Sequence, residues 1–265
     1  MSTSRKAFVT TLNTDNYLPG VLVLDKTIRD MCSHRLFVLV SHGLEESTYE
    51  ALRRRDINYG FADDIVVDPE VFADIDSDFT HWKNTLFKLR IFELTQFDKI
   101  VFIDSDIMVI QPIDELFDRP DMSAVIAGRS YPGNEGWHDL GSGVVVLEPR
   151  EGIVEQLVDL VPAVSAEKQN FGDQDVIIKY FSDWPQNESL HLPEKYNVFF
   201  DHYGFYFKHG GVKAVHFIGK KKPWMMTRGQ VFVGGFLRCI VKGNARGIGM
   251  LMRYRRYLRE VGADG

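Results

Sequence analysis

The sequence predicts an α/β domain with a mostly parallel central sheet. Apolar runs of the kind that form buried strands alternate with helix-like segments through the first half of the chain. The 265 residues are 45% apolar and include 19 Phe and 10 Tyr, enough for one large core. No apolar run approaches the eighteen or so residues of a membrane-spanning helix. This composition excludes disordered and low-complexity classes.

The elements follow from hydrophobic patterning. Residues 36–40 (L-F-V-L-V) are continuously apolar, as in strands buried on both faces. A helix is predicted from Pro19, because proline suits the first helical turn. The predicted strands are 7–11, 36–40, 64–67, 100–103, 124–127, 143–147 and 212–216, and the predicted helices are 19–30, 45–55, 84–97, 151–161 and 173–181. Such sheets bind ligands at the carboxyl ends of their strands.

The C-terminal segment differs in charge from the rest of the chain. Lys220 to Gly265 carries 11 Lys and Arg against two acids, although the whole chain has a net charge of −6. We therefore predict one domain over 1–229 and a basic amphipathic helical tail over 230–265. An acidic body repels nucleic-acid phosphates, so no nucleic acid is expected, and an anionic membrane surface is the better partner for the tail. The alternative is a helix packed on the body with its arginines paired to acidic groups.

The cellular location is predicted from two features. Residues 1–6 lead directly into the first predicted strand, which leaves no room for the apolar region of a signal peptide. Cys32 and Cys239 are far apart and lack metal-type spacing, so a disulfide framework is not expected. A cytoplasmic protein is the expectation, with peripheral attachment to the cytoplasmic membrane face if the tail binds lipid.

The segment K-I-V-F-I-D-S-D, residues 99–106, carries the clearest chemical signal. Asp104 and Asp106 follow an apolar strand and point to the same side in extended backbone. A divalent cation relieves the repulsion between two such carboxylates and accepts phosphate oxygens as further ligands. The structural alternative is a polar turn between strands.

Two metal-dependent chemistries share this pattern. A haloacid-dehalogenase-type phosphatase uses the first Asp as nucleophile, but Met108 stands where such enzymes usually have Thr or Val. About 100 residues also precede the motif here, whereas in those enzymes it lies near the first strand. The other chemistry is transfer of a sugar from a nucleotide diphosphate, in which D-x-D holds the metal on the diphosphate.

Five further motifs favour sugar transfer. They are T-L-N-T-D-N-Y from Thr11, L-F-K-L from Leu86, G-S-G-V from Gly141, G-D-Q from Gly172, and H-F-I-G-K-K-K-P-W from His216. With D-S-D they make the chain resemble the glycogenin-like branch of the family 8 glycosyltransferases over about residues 5–225. The resemblance implies a single Rossmann-like GT-A domain that uses Mn²⁺, with Mg²⁺ as the alternative, and a UDP-sugar, and that retains the anomeric configuration. A homodimer is compatible with it.

The resemblance also implies a set of site residues. Asp104, Asp106 and His216 match the metal ligands. The residues that match donor-binding positions are Thr11, Asn13, Thr14, Tyr17, Lys88, Asp104, Ser105, Asp106, Ser142, Gly219 and Lys222. Asp173, Gln174 and Lys222 match catalytic positions, the first two at the transferred sugar and Lys222 at the diphosphate, where it can offset leaving-group charge.

Each of these residues also has a purely structural interpretation. A strand-end histidine satisfied by hydrogen bonds would explain His216, and packing at a helix start would explain Tyr17. Packing of its aliphatic chain in a half-buried helix position would explain Lys88, and helix capping would explain Asp173. Lys220 and Lys221 are interpreted as a solvated charge run.

Departures from the family pattern leave the substrate open. Gly141 replaces a frequent Asn and Asn170 replaces an Asp, both around the sugar subsite. The hexose, glucose or galactose, is therefore undetermined, and so is the acceptor, a saccharide or a lipid-linked saccharide. Tyr203 and Tyr206 lie where glycogenin carries its self-glucosylated tyrosine but have no clear match, so we interpret both as packing residues and do not predict glycogen priming. A non-catalytic UDP-sugar-binding relative is the remaining alternative.

Overall fold

The described part of the chain is organised around a seven-stranded sheet. The computed structural model describes residues 5–72, 77–230, 239 and 244–263. The strands are β1 Lys6–Leu12, β2 Leu36–Ser41, β3 Asn58–Ala62, β4 Lys99–Ile103, β5 Ile107–Val109, β6 Ser123–Val125, β7 Gly141–Leu147, β8 His191–Leu192, β9 Val198–Phe199 and β10 Ala214–His216. The sheet order is β3-β2-β1-β4-β7-β6-β8. Strands β3, β2, β1 and β4 are parallel, and β7 runs antiparallel to both β4 and β6. The mostly parallel α/β class is confirmed.

Helices cover both faces of this sheet. The α-helices are α1 Leu18–Met31, α2 Glu46–Arg54, α3 Ile153–Asp159, α4 Val161–Glu167, α5 Asp173–Tyr180, α6 Tyr203–His209, the short Arg228–Gln230 and the C-terminal helix Gly247–Glu260. The 3₁₀ segments are Asp15–Tyr17, Pro69–Phe72, Ser77–Glu93, Asp114–Asp118, Trp184–Gln186, Glu188–Leu190, Glu194–Tyr196, Phe200–His202 and Pro223–Met225. Alternating side chains of β1 divide the core: Phe8 packs with α1 and the C-terminal helix, whereas Val9 packs with the Ser77–Glu93 segment and α3 to α5.

A second sheet brings the end of the chain to the D-S-D motif. It has the order β5-β10-β9 among the described residues. His216 of β10 lies opposite Ile107 of β5 in antiparallel register and opposite Phe199 of β9 in parallel register. Because β5 begins directly after Asp106, this small sheet fixes His216 beside the two aspartates.

The prediction of a strand at 64–67 is wrong. The strand that pairs with β2 is β3, and its residues Asn58 to Ala62 lie opposite Phe37 to Ser41. After α2 the chain turns through Asp56, which has a left-handed φ of 52°, and this turn delivers buried Ile57 straight to the sheet edge. The apolar run at 65–67 lies beyond the strand, and Val66 is 87% exposed.

The described part of the basic segment packs on the body. The C-terminal helix contacts α1, and its Leu251, Tyr254 and Leu258 belong to the same core cluster as Phe8. Arg255 is buried and donates a hydrogen bond to the carbonyl of Met226 at 3.0 Å. Residues 231–238 and 240–243 lie outside the described residues, so the domain boundary at 229/230 stays a prediction. In the ranges that the structure describes, we find no helix that is both long and apolar enough to cross a membrane.

Candidate active site

The carboxyl end of β4 presents the two aspartates. The amide of Asp104 donates to the carbonyl of Gly143 at 2.9 Å, which extends the β4–β7 pairing to the motif. The amide of Ile107 donates to the carbonyl of Asp104 at 3.0 Å, and this turn sends the chain into β5. Asp106 is thereby buried, whereas Asp104 keeps partial exposure. The aspartates lie beside the end of β1, at the edge where a parallel sheet binds ligands.

Asp104, Asp106 and His216 converge on one point. Nε2 of His216 lies 3.0 Å from Oδ1 of Asp106 and 3.9 Å from Oδ2 of Asp104. One ligand atom from each residue falls within 4.8 Å of the others. His216 lies 110 positions after Asp106 in the sequence, and the two sheets bring the three side chains together.

A buried amide orients the His216 ring. Oδ1 of Asn197, 1% exposed, lies 2.9 Å from Nδ1 of His216. Nε2 is therefore the ring nitrogen that faces the aspartates, and a proton on Nδ1 would leave Nε2 to bind a cation, as in a metal-binding histidine with its supporting acceptor. Gly143 allows the close approach, because a Cβ there would lie 2.9 Å from Cε1 of His216 and 3.1 Å from Nδ2 of Asn197.

Lys222 closes one side of the cluster. Its Nζ lies 2.5 Å from Oδ2 of Asp106 and donates to the carbonyl of Phe217 at 3.2 Å. Burial alone would lower the pKa of Lys222, but the Asp106 carboxylate raises it, so the ammonium stays charged. The amide of Phe217 donates to the carbonyl of Asp106 at 3.0 Å, so backbone bonds hold this segment against the D-S-D loop.

Lys88 closes the other side and links the metal-type cluster to α5. Its Nζ lies 2.9 Å from Oδ1 of Asp104, 2.9 Å from Oδ2 of Asp173 and 3.2 Å from Oγ of Ser142. The Ser142 amide donates to Oε1 of Gln174 at 3.1 Å. The Nε2 group is then the part of the Gln174 side chain that can donate hydrogen bonds to a ligand. The side chain of Asp173 therefore does not cap α5. Asp175 does, accepting a hydrogen bond from the Gly172 amide at 2.9 Å.

The pKa values of the two aspartates of the motif are shifted in opposite directions. Burial raises the pKa of Asp104, and the charge of Asp106 adds to this increase despite nearby Lys88. Burial also disfavours the Asp106 anion, but His216 and Lys222 hold the pKa of Asp106 well below its usual range. Asp106 is thus a firmly ionised carboxylate.

The donor set fits a divalent cation accompanied by an anion. Two carboxylates and an imidazole are ligand types that divalent metal ions bind in proteins. However, Lys88 and Lys222 already neutralise much of the charge of Asp104, Asp106 and Asp173. A cation alone would compete with two ammonium groups, whereas a cation bound to a diphosphate would satisfy the carboxylates and the lysines together.

The other predicted donor residues lie in β1 and the turn after it, in the D-S-D motif and in the segment after β10. Tyr17 lies edge-on to Trp224, with ring centroids 5.6 Å apart, and Nε1 of Trp224 donates to the Asn16 carbonyl at 2.8 Å. Burial raises the pKa of Tyr17. Asn13 donates to the Asn84 carbonyl at 2.7 Å. Thr11 lies in β1, Thr14 precedes the turn that starts at Asp15, and Ser105 separates the aspartates. Gly219 is exposed and has a φ of 103°, a conformation that favours glycine.

Four residues around the site were not predicted individually. Asn197 and Gly143 position His216, Thr85 accepts the amide hydrogen of Asp173 at 3.0 Å, and Gly20 packs α1 against the loop. A Cβ at Gly20 would lie 2.6 Å from the Ser105 carbonyl oxygen and 2.7 Å from the Trp224 ring. Only the Asn197 position carried a usable signal, an amide next to a strand in an otherwise aromatic stretch.

Comparison with solved structures identifies the fold. The galactosyltransferase LgtC, solved in complex with donor and acceptor sugar analogues, superposes with a TM-score of 0.58 at 19% identity, covering 89% of this chain and 95% of that chain. At this identity the likeness defines the fold alone, a GT-A glycosyltransferase fold.

Sequence comparison identifies the family. The profile of glycosyl transferase family 8 matches residues 9–228, and the chain belongs to this family. Glycogenin-1 of Caenorhabditis elegans is 36% identical over 232 residues, which cover 83% of this chain and 51% of the worm protein. Glycogenin-1 of Mus musculus is 35% identical over 237 residues, 84% of this chain and 66% of the mouse protein. The chain thus spans between half and two thirds of these relatives, and the glycogenin-like resemblance is confirmed.

Proposed function

We propose that this chain is a metal-dependent, retaining hexosyltransferase that moves glucose or galactose from a UDP-sugar to an acceptor hydroxyl. The observation that carries this proposal is the convergence of Asp104, Asp106 and His216 between two buried lysines. Family membership and the GT-A fold support it. A bare cation site needs no ammonium groups at its ligands, whereas a site for a cation and a diphosphate does.

Different residues bind different parts of the UDP-sugar in this proposal. A bound divalent cation supplies charge stabilisation to the departing diphosphate. In this proposal Lys222, buried and charged, moves from Asp106 to a diphosphate oxygen and offsets negative charge as the glycosidic bond breaks. Thr11, Asn13, Thr14 and Tyr17, in β1 and the turn after it, bind the uridine.

The sugar subsite lies at the start of α5. Asp173 is fixed by Lys88 and Thr85, and Gln174 by the Ser142 amide, so a rigid acceptor and a rigid donor face the hexose hydroxyls. Because the Asp173 carboxylate is held in an ion pair, we propose front-face attack, with a diphosphate oxygen taking the acceptor proton, rather than a covalent glycosyl-enzyme. Detection of a glycosylated aspartate or glutamate after digestion would contradict this mechanism.

An aromatic row beside the metal ligands favours a saccharide acceptor. Phe199 lies edge-on to His216 at 5.9 Å, and Trp137 lies edge-on to Phe199 at 6.5 Å. Trp137 is 47% exposed although its loop is held by backbone hydrogen bonds such as Trp137 to Asn134 at 2.9 Å. Aromatic faces pack on the apolar faces of sugar rings, and such residues line ligand sites. The lipid-linked form of the acceptor is a further proposal.

Membrane attachment through 230–265 also remains a proposal, now limited to electrostatic attachment without insertion of the C-terminal helix. The apolar side of the C-terminal helix packs inside the molecule, and Met252 is the exposed large apolar side chain on this helix, too little for an apolar face that inserts. Arg246, Arg256 and Arg259 are exposed and supply electrostatic attraction. Loss of binding to anionic vesicles on changing these three to Gln, in a chain of unchanged thermal stability, would support attachment; unchanged binding would reject it.

The test of the proposed activity is release of UDP from a panel of UDP-hexoses, with Mn²⁺ and with EDTA. We expect slow Mn²⁺-dependent hydrolysis of one donor, lost in Asp106→Ala and kept in Glu50→Ala, whose exposed carboxylate lies on α2. UDP–Mn²⁺ binding without turnover of any donor would identify a non-catalytic relative. No binding at all would overturn the metal site. No structural observation favours the phosphatase alternative.

A further inference from the structure

Tyr254 packs against the segment that follows His216, one of the proposed metal ligands. It belongs to the C-terminal helix and is 0% exposed. Its ring packs edge-on against Phe217, with centroids 4.8 Å apart, and stacks on Trp224 at 6.1 Å. Both neighbours belong to the segment that follows His216. The Phe217 amide bonds to the Asp106 carbonyl, and its own carbonyl accepts a hydrogen bond from Lys222.

The hydroxyl of Tyr254 is buried without a hydrogen-bond partner among the described residues. Burying an unpaired hydroxyl costs free energy that Phe at the same place would avoid, and native proteins seldom keep such a group without use. Burial, and next the negative charge of Asp106, raise the pKa of Tyr254 well above its usual value. The hydroxyl is therefore a permanent hydrogen-bond donor in the electrostatic reach of the Asp106 carboxylate.

Oδ2 of Asp106 is bound by Lys222, which is also the proposed ligand of the donor diphosphate. Oδ1 faces His216 at 3.0 Å, whereas Oδ2 is bound by Lys222 at 2.5 Å. If Lys222 moves to the diphosphate of the donor, Oδ2 loses its hydrogen bond inside a buried site. A carboxylate oxygen left unpaired in such a place is costly and poorly oriented.

We propose that Tyr254 is a positioning residue of the donor site, and that its hydroxyl donates to Oδ2 of Asp106 when Lys222 engages the diphosphate. The inference rests on the proposed function and adds the C-terminal helix to the donor site. It gives a use to a buried hydroxyl that has no hydrogen-bond partner among the residues that the structure describes. No bond is made or broken; one hydrogen bond on Oδ2 replaces another.

The test compares Tyr254→Phe with Tyr257→Phe, a matched control that removes the same atom from a buried tyrosine on the same helix. Two quantities are measured: the melting temperature of the protein without ligands, and the affinity for UDP in saturating Mn²⁺ by calorimetry. We expect Tyr254→Phe to melt at the wild-type temperature or higher, and to bind UDP–Mn²⁺ at least tenfold more weakly. Tyr257→Phe is expected to keep wild-type affinity.

A purely structural role gives the opposite result, a lowered melting temperature with unchanged UDP–Mn²⁺ affinity, and would overturn the inference. Unchanged affinity with unchanged melting would overturn it as well. If the wild-type chain fails to bind UDP–Mn²⁺, the proposed function falls and this inference with it. Binding by the wild type that Tyr254→Phe shares in full rejects the inference alone.

Discussion

Oδ1 of Asn197 lies 2.9 Å from Nδ1 of His216, and both residues are buried. The amide fixes which ring nitrogen faces the aspartates. We expect Asn197→Ala to weaken Mn²⁺ binding in the presence of UDP by 10- to 100-fold, the usual effect of losing such a supporting acceptor. Asn197→Asp keeps an acceptor oxygen and should recover most of the affinity. Equal affinity of Asn197→Ala and wild type in a Mn²⁺ titration would show that the amide only packs.

Gly143 is required by the closeness of the His216 ring. In Gly143→Ala the new methyl would lie 2.9 Å from Cε1 of His216, so the ring or β7 must shift. We expect loss of about 1–3 kcal/mol of stability and a strong loss of Mn²⁺ affinity in a UDP–Mn²⁺ titration. Gly136→Ala is the control, because open space surrounds that position. Unaltered Mn²⁺ affinity in Gly143→Ala would place the metal away from His216.

Because Lys222 is paired with Asp106, we expect it to compete with a bare cation for this carboxylate but to attract a diphosphate. Lys222→Met should therefore bind Mn²⁺ alone more tightly than wild type, while UDP no longer strengthens Mn²⁺ binding. Its UDP-sugar hydrolysis should fall by roughly 100-fold, as when one transition-state donor is removed. Calorimetry with and without UDP measures both affinities, and exposed Lys221→Met is the neighbouring control. Weaker binding of Mn²⁺ alone in Lys222→Met would contradict the competition.

We expect Trp137 to affect acceptor binding and not donor binding. With a glycoside that accelerates UDP release, Trp137→Ala should raise the acceptor KM about tenfold, equivalent to about 1.4 kcal/mol, because an aromatic face is lost. Donor hydrolysis in the absence of acceptor should stay unchanged, and Trp137→Phe should keep most acceptor binding. A parallel fall in donor hydrolysis would instead assign Trp137 to the donor side.

Asp114 makes stability depend on pH. Partial burial would raise the pKa of Asp114, but hydrogen bonds from the His34 ring and the Ser33 and His34 amides lower it. A lowered folded pKa stabilises the fold above the unfolded pKa of about 3.9, and this stability is lost as pH falls through the folded value. Asp114→Asn should thus cost about 1 kcal/mol at pH 7 and progressively less below pH 4, as urea unfolding would measure. A pH-independent cost would contradict the assignment to the carboxylate.

The sequence predicted β1, β2 and β4, three of the four parallel strands, because each contains a run of consecutive apolar residues. It also predicted the D-S-D position, because the carboxylates follow such a run directly. The strand at 58–62 was not predicted, because apolar and polar residues alternate only weakly in this edge strand. The stronger apolar run at 65–67 lies outside the sheet. Asn197 and Tyr254 could not be assigned, because their roles depend on contacts between segments far apart in the chain.

The hydrogen bond from Trp224 to the Asn16 carbonyl joins residues 208 positions apart. It has a consequence for biosynthesis. A ribosome finishes the strands β1, β2 and β4 long before it makes Trp224, so the chain around Asn16 lacks this partner until residue 224 has been made. A shorter nascent polypeptide would therefore already carry Asp104 and Asp106 but not the Trp224 contact beside the proposed donor site.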